Sequence, residues 1–152
     1  EILGEHQGLA YYTLGQRQGL KIGGLSRHGP EPWYVADKNH DHNELIVVQG
    51  TKNPRLYQNW LSASDAHWIN PSLFEGSELL SFACRAKTRY RQQDQACTLK
   101  LTSSDSLEVW FDRPQRAITP GQDVVCYQED RCLGGANIQA AAMHDVTLKA
   151  AG

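Results

Sequence analysis

The sequence predicts a mainly β protein: a small central domain carrying one β-hairpin, followed by a C-terminal six-stranded antiparallel β-barrel. Three observations carry this. Short apolar or β-branched runs recur between residues 64 and 138, each closed by turn-forming residues, the pattern of a small barrel. Within those runs apolar and polar residues alternate with period two, so each strand has one face for a core. The opening of the chain, by contrast, is too rich in glycine to be one helix, since an interior Gly costs about 1 kcal/mol relative to Ala.

Glycines at positions 4, 8, 15, 19, 23 and 24 bracket short apolar pieces, so the opening reads as turns that present Gln16 and Arg17 on a stiff connection. On composition alone these two side chains face water. Residues 25–32 contain two prolines and Gly29, which is loop chemistry. Residues 33–38 and 44–49 are β-branched and aromatic runs around Asn39-His40-Asp41-His42-Asn43, predicting an antiparallel hairpin. His40, Asp41 and His42 lack the closed ligand set of a structural zinc, so this tip reads as a solvated turn. Gly50 to Arg55 breaks the pattern, placing a domain boundary near residue 56, with domains 1–56 and 57–152.

The barrel strands are expected at 64–68, 78–91, 96–101, 107–111, 123–127 and 132–138. Alternation puts Phe82, Cys84, Ala86, Thr88 and Tyr90 on one face and Arg85, Lys87, Arg89 and Arg91 on the other. Cys97, Leu99 and Leu101 form a second inward row, and Leu107, Val109 and Phe111 a third. Cys84 and Cys97 thus read as small buried hydrophobes. The last dozen residues show neither caps nor alternation.

Four scattered cysteines without a C-x-x-C pair argue against a secreted disulfide scaffold and for reduced, cytoplasmic thiols. The chain starts at Glu1 with neither a charged nor an apolar leader; the expectation is a soluble part of a longer protein, with no signal peptide and no membrane span. A formal net charge of −2 gives no global attraction to nucleic acid, so an RNA surface must be a local concentration of Lys and Arg. Arg85, Lys87, Arg89 and Arg91 supply one, a stripe of about 20 Å at a strand rise of roughly 3.3 Å per residue. It fits a row of phosphates, or a charged edge that resists edge-to-edge pairing. Tyr90 beside guanidinium groups fits a base-stacking platform, or a core filler at the barrel rim. Gln122 rides on the tight turn Thr119-Pro120-Gly121 and fits a base- or phosphate-reading amide, or a solvated turn residue. No nucleotide-binding loop or nucleophile elbow is present in the sequence, and no metal site is expected.

The residues also carry a resemblance. The motif from His6 and Gly8 through Thr13, Gly15-Gln16-Arg17 and Gly19-Leu20, followed by Pro32-Trp33-Tyr34-Val35, is similar to the bacterial tRNA-specific 2-thiouridylase family (MnmA/TrmU). Lys87-Thr88-Arg89-Tyr90-Arg91-Gln92, Cys97-Thr98, Thr119-Pro120-Gly121-Gln122 and Cys132-Leu133-Gly134-Gly135 continue it in order over nearly the whole chain. The resemblance implies a barrel similar to one of elongation factor Tu, and tRNA contacts at Arg89, Tyr90 and Gln122, with Lys87 and Arg91 beside them. It implies a structural or tRNA-proximal place for Gln16 and Arg17.

In that family the wobble uridine is adenylated by ATP with magnesium in an N-terminal PP-loop domain. Two cysteines, in that domain and just upstream of the opening motif, then deliver persulfide sulfur to make 2-thiouridine. None of Cys84, Cys97, Cys126 and Cys132 matches those positions. The chain by itself is therefore expected to hold no cofactor and no catalytic residue. Its expected partners are the anticodon region of tRNA, the PP-loop domain in cis and a sulfur-relay donor protein. The competing reading is a stand-alone β-barrel protein-interaction module.

Overall fold

The computed structural model of the chain describes residues 1–23, 27–75 and 80–145. It divides into two compact units, Glu1–Tyr57 and Gln58–Gly152.

The first unit is built on a two-stranded antiparallel sheet, β1 (Trp33–Asn39) and β2 (Glu44–Gln49). A bulge between Val35 and Asp37 puts one extra residue into β1, so the consecutive residues Tyr34, Val35 and Ala36 are all buried. Tyr34, Ala36 and Val48 pack with Leu56 from the turn Pro54–Leu56 into a small core. The glycine-rich opening lies along β1: the Gly15 amide donates to the Val35 carbonyl (2.8 Å), and the Val35 amide donates to the Gln16 carbonyl (2.9 Å). The Gln16 side chain closes its own turn. Its Oε1 accepts from the Thr13 amide at 2.9 Å and its Nε2 donates to the Gln18 carbonyl at 2.8 Å. Gly15 and Gly19, at φ +81° and +79°, supply the left-handed backbone this bend requires.

The second unit is a closed barrel with strand order β3-β6-β5-β4-β7-β8. Its strands are β3 (Tyr57–Trp68), β4 (Ser81–Lys87), β5 (Gln95–Leu101), β6 (Leu107–Arg116), β7 (Asp123–Gln128) and β8 (Arg131–Ala142). Leu61, Leu99, Leu107, Val109, Ile118, Val124 and Ile138 fill its interior; of the rows the alternation sorts, Cys84-Ala86-Thr88, Cys97-Leu99-Leu101 and Leu107-Val109-Phe111 face inward and Tyr90 does not. Closure depends on Gly134 (φ +139°): a Cβ there would collide with the His67 carbonyl as β8 crosses β3. Only glycine fits so close a backbone approach.

Four strand boundaries differ from expectation, the simplest being β6, which runs on past Phe111 to Arg116. β3 starts at Tyr57 and not at Ser64, because its buried positions begin with a polar residue. Asn59 is 8 % exposed, and its amide holds the backbone of His144 at 2.8 Å in both directions. The alanines at 140–142, read as undecided, continue β8 and pair with Trp60–Ser62. β4 stops at Lys87 and not at Arg91; residues 76–79 and 146–152 lie outside the described residues. Among the described residues no helix is long and apolar enough to cross a membrane.

Candidate nucleic-acid interface

β4 ends because Thr88, only 4 % exposed, turns its hydroxyl into the protein instead of continuing the ladder. The hydroxyl donates to Gln92 Oε1 at 3.1 Å; Gln92 Nε2 donates to Gln115 Oε1 at 2.8 Å; Gln115 Nε2 donates to the Arg113 carbonyl at 2.8 Å. The Gln92 amide also returns to the Arg89 carbonyl at 3.2 Å. Residues 88–94 therefore form a loop between β4 and β5 that leaves the barrel wall, and Tyr90 stands on it 97 % exposed. The core-filling reading of Tyr90 is thereby overturned.

The straight cationic stripe is also corrected. Alternation would need β4 to run on through Arg91, and the turn at Thr88 ends it. Arg85 is engaged locally: Nε donates to Asp94 Oδ1 at 3.0 Å and Nη2 to the Asp94 carbonyl at 2.7 Å. Lys87 Nζ sits 5.2 Å from the ring centroid of Tyr127, a cation–π distance. Arg85 is exposed but paired, and the group displayed together on the loop is narrower, made of Arg89, Tyr90 and Arg91.

Arg89 Nη2 donates to the carbonyl of Ala117 at 3.2 Å. The same carbonyl accepts from Thr119 Oγ1 at 3.0 Å, and the Gln122 amide donates to the Thr119 carbonyl at 3.2 Å. Ala117 holds φ +51° and Gly121 φ +90°, while the Gln58 side chain accepts from the Ile118 amide at 3.0 Å. The structure thus connects Arg89 to the turn that presents Gln122, 33 positions later in the chain (122 − 89). Gln122 itself is exposed. Gln16 and Arg17 belong to the first unit; Gln16 is committed to its turn and Arg17 is exposed.

Sequence reasoning missed Thr88, Gln92, Gln115 and Ala117 as supports of this surface. A signal for Gln115 exists: it has the parity of Leu107, Val109 and Phe111 on β6, and it is 6 % exposed. A polar residue on a buried parity implies a partner inside.

The cysteines lie apart from the exposed group. Cys84, Cys97 and Cys126 are free and buried, and Cys132 is free and half-buried. Cys84 and Cys97 face each other across β4 and β5 with sulfurs 3.6 Å apart. Contact with the Cys84 sulfur, and then burial, pushes the Cys97 and Cys126 thiols up from the ordinary range. Hydrogen bonding to Cys126, and then to Cys97, holds the Cys84 thiol below the ordinary range. The His40–His42 tip is exposed, and among the described residues no group of three or more His, Cys, Asp or Glu side chains is arranged to hold a metal ion.

Residues 58–138 match the family model described as the aminomethyltransferase beta-barrel domain, and residues 1–49 match that of the tRNA methyl transferase PRC-barrel domain. Three relatives bear the name tRNA-specific 2-thiouridylase MnmA. That of Methylococcus capsulatus is 52 % identical over 150 residues, covering 99 % of this chain and 40 % of the relative. That of Pseudomonas fluorescens is 53 % identical over 141 residues, covering 93 % and 36 %. That of Pseudoalteromonas translucida is 50 % identical over 138 residues, covering 91 % and 37 %. The chain spans 36–40 % of the length of these relatives. With both family models matched in order and about half of its residues shared with each relative, the chain belongs to the MnmA family of tRNA-specific 2-thiouridylases, over that family's PRC-barrel and β-barrel parts.

Proposed function

We propose that this chain is the tRNA-recognition part of a tRNA-uridine 2-sulfurtransferase that makes 2-thiouridine at the wobble position of the anticodon. The observation that carries the reading is Tyr90, 97 % exposed between Arg89 and Arg91 on a loop whose base is hydrogen-bonded into the barrel. A fixed aromatic face flanked by guanidinium groups suits an unpaired base and its phosphates: stacking contributes roughly 1–3 kcal/mol per base, and the cations displace counterions. Gln122, on the turn tied to Arg89 through Ala117, adds an amide that reads a base edge or a phosphate. Lys87, held over Tyr127, contributes positive potential at the foot of the loop.

The chemistry belongs to the rest of the whole protein, where ATP with magnesium activates the uridine and a cysteine persulfide, charged by a sulfur-relay donor, supplies the sulfur. The burial of Cys84, Cys97 and Cys126 supports that division, since a sulfur carrier must reach its substrate. The PP-loop domain acts in cis and the protein works in the cytoplasm. Gln16 and Arg17 are assigned a structural or tRNA-proximal part, the former through its turn.

The test is fluorescence anisotropy of a labelled anticodon stem-loop titrated with the chain at several salt concentrations. Salt-sensitive binding that weakens in Arg89→Ala supports the reading. Absence of binding at low salt overturns it for this chain.

A further inference from the structure

Among the described residues the buried polar or charged side chains are Asn59, Thr88 and Gln115. Asn59 is accounted for by its clamp on His144. Thr88, just past the end of β4, and Gln115 on β6 are 27 positions apart (115 − 88), and Gln92 joins them. Burying such groups is unfavourable unless each is satisfied, and a fully satisfied network fixes one geometry. Apolar residues would fill the same space more simply, so the network calls for a use other than core packing.

Its geometry points to that use. Each bond of the relay acts on the loop that holds Arg89, Tyr90 and Arg91. Thr88 is the residue at which β4 turns away, Gln92 closes the turn onto Arg89, and Gln115 joins both to β6 through the Arg113 carbonyl. We infer that Gln115 is a positioning residue for RNA recognition: through Gln92 and Thr88 it presets the β4–β5 loop so that Tyr90 is displayed before RNA arrives. This rests on the RNA-binding reading above. The gain is preorganisation, because a loop already ordered loses less conformational freedom on binding. Gln115 itself touches no RNA, being 6 % exposed.

Two readouts on the full chain separate this inference from the reading beneath it. Trypsin cuts after Arg89 and Arg91, so the native-state cleavage rate at those bonds reports loop order without any RNA. Gln115→Leu keeps the volume and removes the bonds; it is expected to raise that rate about tenfold and to weaken anticodon stem-loop binding about fivefold, with little change in melting temperature. Gln115→Glu matches both bonds only with its carboxyl protonated, accepting from Gln92 Nε2 and donating to the Arg113 carbonyl, so it is expected to restore both readouts toward the parent as the carboxyl takes up its proton. Should Gln115→Leu fail to fold, Gln92→Ala tests the same relay from the half-buried loop side.

Unchanged cleavage in the variants overturns the inference. So does faster cleavage with unchanged affinity, which would leave the relay a purely structural device. If the parent chain binds no stem-loop while cleavage rises in the variants, the RNA reading falls and the positioning role falls with it.

Discussion

The Arg89 guanidinium donates to the carbonyl oxygen of Ala117, 3.2 Å away, a bond that joins the β4–β5 loop to the segment leading into β7. Ala117 lies in the left-handed region at φ +51°, an unusual conformation for a residue with a Cβ. Two candidate contact positions on different loops, Arg89 between β4 and β5 and Gln122 between β6 and β7, thereby share one framework. Arg89 remains exposed while making this bond.

Arg89→Ala is expected to lower RNA affinity and to flatten the log–log salt dependence by roughly 0.7–0.9, one phosphate's share. Arg85→Ala, whose guanidinium is spent on Asp94, is expected to leave the slope unchanged. Anisotropy titrations across a salt series compare the two, and equal slopes for both variants would remove Arg89 from direct phosphate contact.

Tyr90→Ala is expected to change folding stability by no more than about 0.5 kcal/mol, because the ring buries almost nothing in the protein. Binding should weaken by roughly 1–3 kcal/mol with the salt slope intact, as for the loss of a stacked base. Urea unfolding gives the first quantity and anisotropy the second. A large fall in the unfolding midpoint would contradict the exposed placement.

Gly134→Ala is expected to destabilise the barrel by about 3 kcal/mol or more, since both the positive φ and the His67 carbonyl oppose a Cβ. Gly4→Ala, with nothing within 4 Å of the added carbon, serves as the control. Equal urea midpoints for the two variants would mean that the β3–β8 crossing relaxes at no cost.

The thiol cluster predicts alkaline sensitivity. Cys97 and Cys126 are held above the ordinary thiol range when folded and return to about 8.5 when unfolded. Below that pH both states keep the protons of these two thiols, and their contribution to stability is at its full value. Above it the unfolded chain ionises them first, so that contribution falls as pH rises. Urea unfolding under reducing conditions from neutral to alkaline pH measures this, and Cys126→Ala should remove roughly one thiol's share of the slope. A pH-independent profile would show that the folded state accommodates the thiolates.

Local pattern explains what the sequence reveals. The hairpin at β1 and β2 is legible from its β-branched and aromatic runs around a polar tip, and the inward rows Cys97-Leu99-Leu101 and Leu107-Val109-Phe111 because one buried face forces period-two alternation. Lys87-Thr88-Arg89-Tyr90-Arg91 alternates as well, and for that reason it imitates a strand. What ends β4 is a hydrogen bond to Gln92 and then to Gln115 on another strand, a partnership across the barrel that local periodicity cannot encode. The start of β3 is hidden similarly. Its inward Asn59 is polar because it binds the distant His144 backbone, and its half-buried Trp60 stacks edge-on against the His144 ring at 5.0 Å. Tyr90 and Gln122 are readable as residues from their motifs, whereas their connection through Ala117 is visible only in the folded chain.

The pairing of β3 with β8 sets Trp60 opposite Ala142, so the polypeptide enters and leaves the barrel on neighbouring strands. A module with its two ends side by side can be spliced between other segments without a long spanning tether, or rejoined there and reopened elsewhere. The β4–β5 loop lies within the closed circuit, away from that doorway in strand order. The barrel is in this sense portable, a cassette whose β4–β5 loop travels with it whatever is attached at the splice.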